Sequence, residues 1–188
     1  MPIDGSGFSK LDERVVFAGH LITTVQATFA DPSGDTFERD VVRHPGAVSV
    51  VPVVDDGRTA LLVRQYRAAV DRVLLEIPAG KRDVDGEAPE LTAARELQEE
   101  IGRRAGSLRK LAEFYNSPGF CDEHSIVYLA TDLETVDSSA QGVEEQHMTV
   151  EEIALADVPG LVARGELVDA KSIIGLSLAR EALSTMQS

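Results

Sequence analysis

Residues 80–102 read Gly80-Lys81-Arg82-Asp83-Val84-Asp85-Gly86-Glu87-Ala88-Pro89-Glu90-Leu91-Thr92-Ala93-Ala94-Arg95-Glu96-Leu97-Gln98-Glu99-Glu100-Ile101-Gly102. The second half predicts one short amphipathic helix, opened near Pro89 and closed by Gly102, the ends at which proline and glycine are favoured. At ~100° per residue, Glu96, Glu99 and Glu100 fall within an arc of roughly 100°. Leu91, Ala94, Leu97 and Ile101 lie on the opposite side as the expected core-facing stripe. Like charges three and four residues apart destabilise a helix by roughly 0.2–0.5 kcal/mol per pair, so the cluster calls for a compensating charge. A hard divalent cation such as magnesium, which prefers oxygen ligands, would supply it. Arg95, four residues before Glu99, is placed to pair with that carboxylate and leaves two for a cation. An isolated glutamate pair is usually a solvated acidic face. Here the defined helix ends, the arginine, and the tight Ile77-Pro78-Ala79-Gly80 loop after an apolar run favour a built site.

These residues resemble the Nudix box, in which a glycine, a glutamate and the run Arg-Glu-apolar-x-Glu-Glu-x-Gly-apolar recur at set spacing. Gly80, Glu87, Arg95, Glu96, Leu97, Glu99, Glu100 and Gly102 fill its specified positions. There are two departures. Six residues rather than five separate Gly80 from Glu87, an insertion that Gly86 is suited to absorb, and the last apolar position holds Arg103, expected at a fraying helix end. The resemblance implies an α/β protein, a Nudix α/β/α sandwich with a mixed sheet, that hydrolyses a nucleoside diphosphate linked to another group. It implies Mg2+ as cofactor, as two or three ions, with Mn2+ as a substitute. By the same resemblance Glu96 and Glu100 are the main metal ligands, with the backbone carbonyl of Ala79 completing a site. Glu99 is a further ligand with a catalytic part, Glu87 has a supporting role, and Arg95 holds the carboxylates in place.

Composition sets limits. The chain has 188 residues, enough for one domain with a small appendage and a full core. Its 18 Lys and Arg against 32 Asp and Glu leave a net charge of −14 without a basic patch, which argues against nucleic acid as a partner. An acidic protein acting on an anionic substrate must place positive charge locally, by metal and a few arginines. Cys121 is the single cysteine, so no intramolecular disulfide forms. No leader-like apolar run opens the chain and no segment approaches about 18 apolar residues. A soluble, cytoplasmic protein without a membrane partner is the expectation.

Along the chain, strands are expected at 15–17, 21–29 and 37–42, with a turn at Asp31-Pro32-Ser33-Gly34-Asp35. A second hairpin covers 47–54 and 60–66 around Asp55-Asp56-Gly57. Strands follow near 110–115, 125–130 and 148–153, and helices close the chain at 155–163 and 171–183. The polar stretch 134–147 reads as a flexible loop. The family resemblance divides the chain into an N-terminal antiparallel β segment over residues 1–45, a dimerisation element, and a Nudix domain over 46–188. A homodimer is expected on that ground.

Outside the box the chain resembles ADP-ribose pyrophosphatases. Pro118, in Tyr115-Asn116-Ser117-Pro118-Gly119-Phe120, stands sixteen residues after Gly102, where that branch carries a proline. Residues 39–48, 64–67 and 169–171 are also similar to segments of the branch. The resemblance implies Mg2+-dependent hydrolysis of ADP-ribose to AMP and ribose 5-phosphate. The alternatives are another nucleoside diphosphate sugar, such as GDP-mannose or ADP-glucose, or a non-catalytic ADP-ribose sensor. Arg39 and Arg67 are candidates for contacts to substrate phosphate or ribose, since a planar, permanently charged guanidinium suits bidentate phosphate binding. Pro118, Gly119 and Phe120 are candidate substrate-binding residues. The general base of this branch comes from an acidic residue on a late loop, here Gly142-Val143-Glu144-Glu145-Gln146-His147-Met148. Gln146 aligns with that residue and cannot take a proton. A small register shift makes Glu144 or Glu145 the base, while a loop without a catalytic part is the alternative. His147 is less suited beside a cationic metal. Asp122 and Glu123 either line the pocket or cap a strand.

Overall fold

The turn at 31–35 is fixed by its own side chain: Asp31 Oδ1 accepts the backbone N–H groups of Ser33 and Asp35 at 2.8 and 2.9 Å, as an Asx turn requires. It joins β2 (Thr23–Ala30) to β3 (Thr36–Arg43). The computed structural model describes residues 7–54, 57–137 and 147–185. Within it the chain divides into two units, one of residues 1–46 with 115–124, the other of 47–114 with 125–188.

The first unit is a three-stranded antiparallel sheet in the order β1-β2-β3, with β1 at Ser9–Ala18. β1 begins well before the expected residue 15, and all ten of its residues are exposed, Val15 and Phe17 at 62% and 60%. The 115–124 excursion pairs with β3. Val42 N–H donates to the Phe120 carbonyl at 2.7 Å and Asp122 N–H to the Val42 carbonyl at 3.1 Å. The Asp122 carboxylate then accepts the Arg43 guanidinium at 3.0 Å and the His44 N–H at 2.8 Å.

The second unit holds a seven-stranded mixed sheet: β4 (Ala47–Val54), β5 (Thr59–Arg67), β6 (Arg72–Glu76), β7 (Ala79–Lys81), β8 (Arg103–Tyr115), β9 (His124–Thr135) and β10 (Thr149–Ala154). The main order is β10-β5-β4-β9-β8, with β6 on β5 and β7 on β4. β4 runs parallel to β9 and antiparallel to β5 and β7. Alternation along β4 and β9 serves two faces. Val48, Val50, Ile126 and Tyr128 pack with Ala93 and Leu97 of α1 (Pro89–Ile101). Val51, Val53, Val127 and Leu129 pack with Val158 of α2 (Val158–Ala163) and with Leu176 and Ala179 of α3 (Ala170–Ser184). The result is the expected α/β/α layering. Among the described residues no helix is long and apolar enough to cross a membrane.

Several local expectations need correction. Pro78 ends the apolar run, but Ala79–Lys81 form a strand rather than a loop, because Ser49, Val48 and Ala47 of β4 offer them a ladder. Arg103 is not a fraying helix end: Gly102 adopts the left-handed conformation (φ 62°) that stops α1, and Arg103 opens β8. The helix stripe is out of phase, since Leu91 is 63% exposed while Thr92, Ala93, Glu96 and Leu97 are buried. The segment at 155–163 is a 3-10 turn, Leu155–Asp157, followed by α2. Of the expected loop 134–147, residues 134 and 135 belong to β9, and 138–146 lie outside the described residues.

Candidate active site

The site grows from the junction of β7 and α1. Gly80 carries no side chain, and the Glu96 carboxylate fills the space: a Cβ built on Gly80 would stand 1.9 Å from Glu96 Cδ and 2.2 Å from its Oε1. Glu96 is therefore buried, with 8% of its surface exposed. On the next turn, Glu100 Oε2 accepts the backbone N–H of Ala79 at 3.1 Å. The loop before the helix folds back through Gly86, at φ +74°. It brings Glu87 to the Thr92 hydroxyl at 2.8 Å. That hydrogen bond, with the one from Arg95, holds the Glu87 carboxyl below its ordinary range.

Arg95 is the hub. Its Nη1 reaches Glu96 Oε1 at 2.8 Å and Glu99 Oε2 at 3.0 Å, and its Nη2 reaches Glu87 Oε2 at 3.4 Å. Spacing by itself pairs Arg95 with Glu99, and the family resemblance extends its hold to the other carboxylates. The other two contacts arise because Gly80 admits Glu96 and the 84–87 turn returns Glu87. Burial opposes the guanidinium charge, but the carboxylates around it outweigh burial and raise its pKa.

An all-oxygen donor set of Glu96, Glu99, Glu100 and the Ala79 carbonyl suits a hard divalent cation, and the Gly80 cradle gives the deepest carboxylate a fixed seat. The residues present thus fit such an ion. Among the described residues no three acidic, histidine or cysteine side chains stand ready-made around one point; the Arg95 guanidinium is the cation among Glu87, Glu96 and Glu99.

The substrate-binding candidates divide between the units. Arg39, Pro118, Gly119 and Phe120 come together in the first unit, lining a cavity of about 520 Å³ with Arg43 and Tyr115. Arg39 lies 4.7 Å over the Phe37 ring. Asp122 caps the end of β3 by accepting the His44 N–H, and it also lines this cavity. Arg67 lies in the second unit, on β5, paired through Nε and Nη2 with Glu76 at 2.8 and 2.7 Å. Glu144, Glu145 and Gln146 lie outside the described residues.

Sequence reasoning missed Glu76, which is 1% exposed. A lone carboxylate in the apolar run Val73-Leu74-Leu75-Glu76-Ile77 was the available signal, because a buried charge must be paired. Its partners are Arg67 and Lys171, and Lys171 also meets Asp169 at 2.9 Å. Burial raises the Glu76 pKa, but the Arg67 hydrogen bonds and the Lys171 charge overcome it and hold the carboxyl below its ordinary 4.5. A depressed folded-state pKa contributes stability that is present above pH 4.5 and lost as pH falls through the folded value. Denaturation midpoints measured as pH falls from 4.5 into the range below it are therefore expected to drop less steeply in Glu76→Gln than in the wild type. Parallel profiles would contradict this assignment.

A carboxylate-lined helix face beside a strand–loop backbone, with one arginine binding three glutamates, defines the class, and the chain belongs to the NUDIX domain family, which matches residues 43–173. Nudix hydrolases generally need a divalent metal. The chain is 41% identical over 157 residues to the ADP-ribose pyrophosphatase of Bacillus subtilis (strain 168), covering 84% of each chain. It is 39% identical over 178 residues to the ADP-ribose pyrophosphatase of Mycobacterium tuberculosis, covering 95% of this chain and 85% of that one. A solved structure described as an ADP compounds hydrolase shares the fold, with a TM-score of 0.82, 24% identity and 95% of each chain covered.

Proposed function

We propose that this chain hydrolyses the diphosphate bond of ADP-ribose to AMP and ribose 5-phosphate, using Mg2+ as two or three ions, with Mn2+ as a substitute. The observation that carries this reading is the packing of Glu96 into the Gly80 cradle beside Glu100 on the Ala79 N–H. The substrate is inferred from the two ADP-ribose pyrophosphatase relatives.

Water forms a new P–O bond at one phosphorus as the bridging P–O bond breaks, and the leaving phosphate carries away the electron pair. Such a reaction needs alignment and charge neutralisation more than covalent help. When bound, the metal neutralises diphosphate charge and lowers the pKa of water. Glu96, Glu100 and the Ala79 carbonyl would hold it, with Glu99 as a further ligand. Arg95 keeps Glu87, Glu96 and Glu99 from repelling one another apart. Arg67 and Arg39 contact substrate phosphate or ribose, and Pro118, Gly119 and Phe120 shape the pocket around it. Glu144 or Glu145 takes the water's proton; Glu144→Gln and Glu145→Gln, made separately, are expected to differ in kcat, and equal wild-type rates would place the base elsewhere. Residues 1–45 serve as a dimerisation element, a reading supported by the apolar exposure of β1, and 46–188 form the hydrolase domain of a cytoplasmic homodimer.

A substrate panel tests the proposal. With Mg2+, ADP-ribose is expected to be cleaved faster than ADP-glucose, GDP-mannose, NADH or diadenosine polyphosphates. Preferred cleavage of another compound would overturn the substrate and leave the reaction class standing.

A further inference from the structure

The buried ion network on β5, β6 and α3 is larger than the packing of those elements requires. Glu76 bonds Arg67, from the adjacent strand, and Lys171, from the first turn of α3. Asp169, the N-cap of α3, accepts from Lys171, from the Ser172 backbone N–H and from the Ser172 hydroxyl. Ser172 Oγ accepts the N–H of Ile77 at 2.8 Å. Two residues further on, the Ala79 N–H meets Glu100. One connected set of bonds thus runs from α3 through Glu76 and Ile77 to the strand that carries the catalytic carboxylates' backbone partner.

Such a network has a cost. A buried ion pair rarely stabilises more than apolar residues of similar volume would, so folding alone is a poor reason for a charge at Glu76. The geometry of Arg67 supplies another reason. Glu76 engages the Nε and Nη2 edge in a fork, which fixes the plane of the guanidinium. The fork uses Nε and Nη2 and not Nη1, and the side chain is 39% exposed.

We propose that Glu76 is a positioning residue: its fork locks the plane of the Arg67 guanidinium and leaves the Nη1 edge to take a phosphate oxygen of the substrate's diphosphate. Lys171 shares the Glu76 carboxylate, so the fork carries no net negative charge to repel that diphosphate. This rests on the reading that Arg67 contacts the substrate. Arginine is required there and lysine is no substitute, because an ammonium cannot hold a carboxylate with one edge and offer a second planar edge.

A double-mutant cycle on kcat/KM tests the inference, with melting temperatures measured alongside. Glu76→Gln is expected to lower kcat/KM for ADP-ribose by at least about tenfold, the size of a lost outer-shell partner, with the loss mainly in KM. In an Arg67→Ala background the same substitution is expected to change kcat/KM less than about twofold, because its effect runs through Arg67. Equal fold-losses in both backgrounds would overturn the proposal. Removing one member of a buried pair can unfold a protein, so Arg67→Lys at the half-exposed partner is a second arm. It is expected to melt with the wild type and to raise KM by at least about tenfold; wild-type KM would overturn the fork. If the wild type itself prefers another sugar nucleotide, the ADP-ribose reading fails and the cycle is run on that compound, with the same outcomes deciding.

Discussion

Glu100→Gln is expected to lower kcat by more than about 100-fold, beyond the loss that removal of an outer-shell partner produces, while the melting temperature stays near that of the wild type. Glutamine matches glutamate in size and helix propensity, so α1 and the Ala79 N–H bond to the Oε position survive. The substitution removes charge. One fewer carboxylate within an acidic arc relieves repulsion in the helix, which is why stability does not fall with activity. Steady-state turnover and a thermal melt on the same preparation separate the two effects. Wild-type kcat would remove Glu100 from the reacting centre.

Gly80→Ala is the second large effect, and it is steric. The glycine has no positive φ that alanine would resist; its added methyl instead meets Glu96 Cδ at 1.9 Å and Cγ at 2.3 Å. Glu96 cannot swing away without breaking its 2.8 Å contact to Arg95, which also holds Glu99. Overpacking of this kind destabilises by about 1–3 kcal/mol. Displacing a reacting group by about 1 Å reduces rate by about 100-fold, so the loss of kcat is expected to exceed what a milder fold would explain. An active Gly80→Ala enzyme with a lowered melting temperature would mean that Glu96 works from a different position.

The helix was legible because its ends are punctuated: Pro89 and Gly102 bound α1 as the sequence suggests. Its phase was less so. Periodicity favoured Leu91 and Ala94 for the core, yet Thr92, Ala93 and Glu96 are buried, because Ala93 packs on β4 and β9 and Glu96 fills the space left by Gly80 of β7. A one-dimensional pattern carries no trace of a strand that packs against a helix. The same limit applies to Arg95. Spacing reveals the i, i+4 contact with Glu99, while the contact with Glu96 depends on the space at Gly80 and that with Glu87 on the turn at Gly86. Pro118 was singled out by its distance from the box. That residues 115–124 join the first unit follows from the Val42–Cys121 bridge, a pairing between distant segments with no local signature. Glu76 was visible as an odd charge in an apolar strand; its partner Lys171 lies 95 residues away, too far for any spacing rule.

The most direct test of the central claim is turnover of ADP-ribose by the metal-stripped wild-type chain, followed by addition of Mg2+, with products resolved by chromatography. Silence before addition and equal amounts of AMP and ribose 5-phosphate after it are the expected result. Products at full rate without metal, or no products after its addition, would contradict a Nudix diphosphatase built on Glu96, Glu99 and Glu100.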